Sequence, residues 1–394
     1  MLYKRDLSGV LDRYSKFPVV AIMGPRQSGK TTISKNFFNK HKFVSLENPQ
    51  ERMFAKQDPE RFLGNYENRH GIIIDEFQYV PELLSYIQLE VDNKNRPGYF
   101  VLTSSQNFLM NQAITQSLAG RVGIVTLLPL SLHELLDNNL INNVDEFLFK
   151  GGYPRLYKEN ITPHDFYSSY LHTYIERDVR QLANVGDILI FQKFMRACAA
   201  RTGQLLNVLD ISSMVGVDQR TIKNWISVLE ASYIIFILKP HFNNFNKRLT
   251  KTPKLYFYDT GLACSLLDIQ SIENLLFSPH RGHLFESAVI SDFYKQYCNL
   301  GRKPSLYFWR DQNGRIEVDC LVDRGDMLIP VKIKAGETIS NSFFKQLLEW
   351  NKISDTDPEN NNIVYAGKLN QNRSIGKIIS WKDSAEFVRN LYKN

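Results

Sequence analysis

Along the first third of the chain, short apolar runs alternate with longer stretches whose apolar residues recur every three or four positions. The runs at 19–23, 43–46, 71–74, 99–103 and 123–127 have the length of strands, and the first, third and fourth are almost unbroken by polar residues. A strand that alternates polar and apolar buries one face. An unbroken one is covered on both, as in a parallel sheet flanked by helices. Residues 1–137 therefore predict a parallel α/β domain, closed by Pro129 and the apolar segment 132–136.

From about 147 to 200 the period turns helical; within 166–182, Tyr170, Tyr174, Ile175 and Val179 fall at helical spacing among charges. Residues 201–265 hold two shorter helical patterns joined by Val215-Gly216-Val217-Asp218, the second over 221–232, followed by Pro240, a basic and aromatic loop at 243–254 and a strand at 255–258. That order predicts a helix-turn-helix of the winged type. Residues 266–394 predict a second α/β unit: a helix at 282–297, strands at 305–309, 316–322 and 327–334, a helix at 342–350 and a strand at 363–366.

Composition narrows this picture only a little. A chain of 394 residues with 43% hydrophobic and 23% charged residues is expected to form several soluble domains. No run approaches the roughly 20 apolar residues of a membrane span, and the first residues carry no apolar secretory segment. Cys198, Cys264, Cys298 and Cys320 are scattered with no paired spacing, which reads as reduced thiols and predicts a cytoplasmic address. The net charge of +7 permits a nucleic-acid partner through phosphate attraction without requiring one.

The chemistry starts at Gly24-Pro25-Arg26-Gln27-Ser28-Gly29-Lys30-Thr31, which fits G-x-x-x-x-G-K-[ST] between an apolar run and a helical pattern opening with Thr32. Glycines let the backbone N–H groups turn inward around phosphates. Lys30 is placed to reach the β- and γ-phosphates, Thr31 offers a hydroxyl to Mg²⁺, and the helix start adds its positive end. Ile72-Ile73-Ile74 then leads into Asp75-Glu76. Asp75 is expected to hold the metal through water and Glu76 to orient the attacking water. Ser105 and Gln106, after the strand at 99–103, are candidate γ-phosphate sensors. Arg121 is a candidate for stabilising charge on the transferred phosphoryl group, in cis or toward a neighbouring subunit of a homo-oligomer, and Arg26 is another. ATP and Mg²⁺ are the expected cofactors.

These residues resemble bacterial and archaeal AAA+-like ATPases fused to a C-terminal domain of unknown function. The resemblance runs through Leu46-Glu47-Asn48-Pro49, Asp75-Glu76-Phe77-Gln78, residues 102–106, 117–122 and 128–134, Gly151-Gly152-Tyr153-Pro154, residues 174–180, Tyr258-Asp259-Thr260-Gly261-Leu262, and residues 282–286 and 307–319. It implies an AAA+-like P-loop domain at 1–137, a helical lid or linker at 138–200, a winged helix at 201–265 and a PD-(D/E)XK nuclease-like domain at 266–394. In that last fold a helix Glu, a strand Asp and an acidic-x-Lys strand surround Mg²⁺. Glu286, Glu317, Asp319 and Lys334 match the pattern, but Lys332 stands where it wants a carboxylate, so a degraded site is expected. The carboxylates then read as a salt-bridge network with Lys332, Lys334 and Arg310. Gln219, Arg220, Lys223 and Asn224, with Lys247, Arg248, Lys251 and Lys254 of the loop, suit DNA contacts. Glu176-Arg177-Asp178 reads as an ion-pair cluster. A DNA-associated motor, a nucleotide-dependent signalling or defence switch, and a metal-dependent nuclease all stay open on these residues.

Overall fold

A computed structural model describes residues 3–105, 114, 117–174, 187–241 and 250–392. Strands β1 (Val19–Met23), β2 (Lys42–Ser45), β3 (Ile72–Asp75), β4 (Phe100–Ser104) and β5 (Val122–Thr126) form a sheet in the order β2-β3-β4-β1-β5. Every pairing in it is parallel. The three central strands are the three unbroken apolar runs, while edge strands β2 and β5 carry partly exposed positions. Alternate residues of β1 serve opposite faces. Val20 and Ile22 pack with Leu7, Leu11 and Ile33, whereas Val19, Ala21 and Met23 join the larger core on the other side.

A second, antiparallel sheet holds β6 (Gln204–Leu205), β7 (Ile235–Leu238) and β8 (Lys254–Phe257) in the order β6-β8-β7, beside helices Val208–Val215 and Gln219–Ala231. Asn207 and Asp218 cap these two helices with their side chains, and Gly216 ends the first in the left-handed conformation. Strand β7 was not foreseen; its apolar run follows directly on the helical pattern, where periodicity does not separate the two.

The third sheet contains β9 (Leu306–Arg310), β10 (Glu317–Asp323), β11 (Leu328–Lys334), β12 (Asn362–Tyr365), β13 (Gln371–Arg373) and β14 (Gly376–Ser380), in the order β13-β14-β12-β11-β10-β9. Helix Arg281–Asn299 packs on it and on helix Ser384–Asn390. The hairpin β13–β14 was also unforeseen, β13 being short and polar.

Asp259 joins distant stretches. It caps helix Thr260–Leu266, accepting from Leu262 N at 3.1 Å, and also accepts from Gly152 N at 2.7 Å and the Tyr167 hydroxyl at 2.6 Å. Gly151 is left-handed (φ +69°), and a Cβ there would lie 2.2 Å from the Asp259 carboxylate, so only glycine allows the approach.

The helix read at 166–182 is described as Pro163–Tyr174; its remainder, and the cluster Glu176-Arg177-Asp178, lie outside the described residues. Among the described residues no helix is long and apolar enough to cross a membrane. All four cysteines are buried and unbridged.

Candidate functional site

The phosphate loop leaves β1 at Gly24, whose φ is +150° and where a Cβ would meet the Leu127 carbonyl oxygen at 2.1 Å. The loop closes at Gly29, left-handed at φ +98°, which caps helix Lys30–Phe37. Within it, Ser28 Oγ donates to Pro25 O at 2.9 Å. The buried Lys30 ammonium donates to the carbonyls of Gly24 at 3.0 Å and Pro25 at 2.9 Å, and stands 3.9 Å from Glu76 Oε1.

Strand β4 lies between β1 and β3, so its end reaches both the loop and the acidic pair at the end of β3. Asp75 Oδ1 accepts from the Thr31 hydroxyl at 2.8 Å and from Thr103 at 2.7 Å, and its Oδ2 from Ser45 at 3.3 Å. Glu76 is left-handed (φ +53°), a conformation that costs a non-glycine residue about 1 kcal/mol. Its N–H donates to Thr103 Oγ1 at 3.1 Å, and its carboxylate accepts from Ser105 Oγ at 2.8 Å and from the Gln78 amide. Gln78 also donates to Ser105 at 3.0 Å. Burial pushes the Glu76 carboxyl up, but Lys30, the Gln78 hydrogen bond, Arg26 and Ser105 together outweigh it and hold the group below its ordinary value. Glu76 is thus an ionised carboxylate, aimed by neutral donors and facing a buried cation.

A cleft of about 660 Å³ opens over the loop, a volume in the range of small-ligand sites. Gln27, Gly29, Lys30, Thr31, Thr32 and Glu76 are among its lining residues. Tyr3, Lys4, Arg5 and Ser8, and Pro154, Arg155, Lys158 and Glu159, also line it. The cationic residues Arg5, Arg155 and Lys158 were missed from sequence. Their only signal was that Arg155 follows Gly151-Gly152-Tyr153-Pro154, the turn that Asp259 holds.

The remaining candidates disperse. Arg26 turns sideways within the loop, 3.7 Å from Glu47 and 3.5 Å from the Tyr79 hydroxyl. Gln106 lies outside the described residues. Arg121 cannot act in cis. Its carbonyl accepts from Val19 N at 3.2 Å and its side chain pairs with Asp92. That is the start of β1, whereas the loop leaves from the far end, roughly 17 Å away for five strand residues.

Glu286, Glu317 and Asp319 do come together, around lysines. Lys254 Nζ stands 2.9 Å from Glu286 Oε1 and 2.6 Å from Glu317 Oε1, and Lys332 Nζ stands 2.7 Å from Asp319 Oδ1. Arg310 lies 3.3 Å from Glu317, and the Tyr256 hydroxyl donates to Glu286 at 2.6 Å. Burial pushes the Lys254 ammonium down, but Glu286, Glu317 and Asp319 more than reverse this and keep it protonated. Lys254, read from sequence as part of a DNA-contacting loop, is buried at 2% exposure, which corrects that reading. Lys334 stands over the Phe343 ring at 6.0 Å rather than on a carboxylate. Among the described residues no three His, Cys, Asp or Glu side chains gather as metal ligands.

Residues 16–136 hold the phosphate loop, the acidic pair and the parallel sheet. The same residues match the AAA domain family, while 141–273 and 281–383 match two domains of unknown function, DUF8612 and DUF4143. Uncharacterised proteins of Mycobacterium tuberculosis and Mycobacterium bovis are each 28% identical over 347 residues, covering 87% of this chain and 76% of the relative. Among solved structures, a Walker-type ATPase of Pyrococcus abyssi aligns with TM-score 0.45 and 16% identity over 67% of this chain and 96% of that one. The RuvB Holliday junction branch migration motor of Thermotoga maritima aligns with TM-score 0.28 and 16% identity over 63% and 89%.

Proposed function

We propose that the chain binds ATP with Mg²⁺ in the cleft over Lys30 and hydrolyses it, and that nucleotide state repositions the C-terminal parts. The observation that carries this reading is the acidic pair: Asp75 bonded to the Thr31 hydroxyl, and Glu76 held by Ser105 and Gln78 opposite Lys30. Thr31 and Asp75 are the residues that would hold the metal, since a hydroxyl and a carboxylate are the oxygen donors it prefers. When bound, Mg²⁺ neutralises charge on the phosphates. Lys30 exchanges the loop carbonyls for phosphate oxygens. Glu76 orients the attacking water and accepts its proton, and Ser105 fixes the Glu76 carboxylate against rotation. Lys158 also lines the cleft, while the charge of Arg155 is met by Glu159 at 2.9 Å. Arg121 is left for a neighbouring subunit of an oligomer. The test is Mg·ATP titration and phosphate release: Lys30→Ala is expected to lose binding, and binding retained at the wild-type level defeats the reading.

DNA is the second reading, favoured by one observation. Gln219, Arg220, Lys223 and Asn224 all lie exposed on helix Gln219–Ala231, as on the recognition helix of a winged helix. ATP turnover stimulated by duplex DNA, and lost as salt rises, supports it; turnover indifferent to DNA favours a switch acting through protein partners. Lys254 and Lys332 argue against DNA cleavage by the nuclease-like region, because each puts an ammonium directly on its carboxylates.

A further inference from the structure

Arg5 precedes the first helix, Ser8–Tyr14, in a segment with no apolar pattern. Yet its side chain is only 10% exposed, and each guanidinium nitrogen is engaged. Nε donates to Glu134 Oε1 at 2.9 Å, Nη1 to the Ser28 carbonyl of the phosphate loop at 2.8 Å, and Nη2 to the Leu128 carbonyl beyond β5 at 2.7 Å.

The hold on Ser28 bears on nucleotide binding. In a trans peptide the carbonyl and the following N–H point to opposite sides. With Ser28 O fixed on Arg5, the Gly29 N–H is turned away from it. Glycine has no side chain to fix its own backbone, so this peptide needs an outside restraint at the point where the loop becomes a helix.

Glu134 carries the restraint onward. It is 1% exposed and forms a capping box with Ser131, accepting also from Asp6 N at 2.8 Å. The turn it caps is gripped on its other side by helix Arg281–Asn299. Leu132 N donates to Asp292 Oδ1 at 2.6 Å, and Lys295 Nζ donates to Leu130 O at 3.3 Å. Asp6, next to Arg5, accepts from Arg389 of helix Ser384–Asn390 at 2.7 Å and lies 2.9 Å from His133 Nδ1. Arg5 is therefore where the phosphate loop meets a continuous set of hydrogen bonds from the C-terminal region.

We propose that Arg5 is a positioning residue for the phosphate loop, and that the Arg5–Glu134 pair transmits loop occupancy to helix Arg281–Asn299. This rests on the nucleotide-binding reading above. Arg5→Ala in the full chain is expected to weaken Mg·ADP and Mg·ATP about tenfold, one charge-assisted contact's worth. Arg5→Lys does not restore it, because one ammonium cannot hold three divergent carbonyl and carboxylate partners, whereas added ethylguanidinium restores Arg5→Ala in part. Hydrogen exchange gives the second readout. In the wild type, saturating nucleotide raises protection across 281–299, and in Arg5→Ala at saturation it does not.

Nucleotide affinity within twofold of wild type in folded Arg5→Ala, or undiminished transmission to 281–299, overturns the proposal. Should Arg5→Ala fail to fold, Glu134→Gln decides, since its amide oxygen can keep the Ser131 cap while its NH2, a donor, cannot accept from Arg5; unchanged affinity and protection there overturn it equally. Absence of nucleotide binding by the wild type itself defeats the broader reading along with this one, and Lys30→Ala separates that case.

Discussion

Asp75 and Glu76 are held by hydroxyl and amide donors, whereas Glu286, Glu317 and Asp319 are held by ammonium groups. Both clusters are buried acidic sites at strand ends or on a helix beside a strand, and both have a lysine within 4 Å. The distances divide them. Lys30 spends its protons on loop carbonyls and stands 3.9 Å from Glu76, while Lys254 sits directly on two carboxylates at 2.6 and 2.9 Å. Neutral donors orient a carboxylate and leave its charge available to a cation from solution. A direct ammonium satisfies it internally. Identical residue types thus give one site whose carboxylates are held by neutral donors and one closed on itself by ammonium groups.

That contrast breaks most severely at Lys254. Replacing it by methionine leaves Glu286 only the Tyr256 hydroxyl and Glu317 only Arg310 among the partners named above, and loss of one partner of a buried pair costs up to about 3–5 kcal/mol. Chemical denaturation of Lys254→Met should show that loss, and Lys254→Met combined with Glu317→Gln should recover part of it. A single variant with wild-type stability would mean that the cluster is not closed by this ion pair. Next in size is Glu76→Gln. It keeps the Ser105 and Gln78 side of the geometry but removes the base, so turnover should fall about 100-fold with ATP affinity retained; phosphate release set beside filter binding checks both halves.

Chelation of Mg²⁺ with EDTA sharpens the comparison without mutation. Phosphate release should stop, while the melting of nucleotide-free protein stays in place because the C-terminal carboxylates already have their cations. A melting shift on chelation would reveal a metal there. The smallest effect is in pH. The folded pKa of Glu76 is lowered, so its contribution to stability is present above its unfolded value of about 4.3 and is lost as pH falls through the folded one. Between pH 5 and 3, wild type should lose more stability than Glu76→Gln; equal losses would show that Lys30 and Gln78 do not favour the charged form.

The parallel sheet was legible because covered strands read as unbroken apolar runs, and the two runs with polar interruptions became its edges. The phosphate loop and acidic pair were legible because each is contiguous in sequence. What escaped was assembled across distance. Arg5 reaches its partners 23 to 129 residues away, and Arg155 enters the cleft only because Asp259, 107 residues beyond Gly152, fixes the turn before it. Lys254 looked like one more cation of a basic loop, since nothing local shows that strand β8 aims its first residue at Glu286 and Glu317. Burial of a charge is decided by its partner, and here the partners lie on other elements.

The tie between Asp6 and Arg389 spans 383 residues, and this has a consequence for the order in which the protein matures. During synthesis the loop and its acidic pair emerge ahead of β4 and β5, and the sheet around them can pair once β5 has followed. The segment that carries Arg5 has to wait for Glu134, and its neighbour Asp6 for helix Ser384–Asn390. Contacts that close such long loops form late, because closure entropy is paid before they are gained. A nascent chain would thus carry the phosphate loop and acidic pair before Leu128 and Glu134 complete the Arg5 clamp, with the tie from Asp6 to Arg389 made last, and intermediates ending short of residue 134 should hold nucleotide loosely.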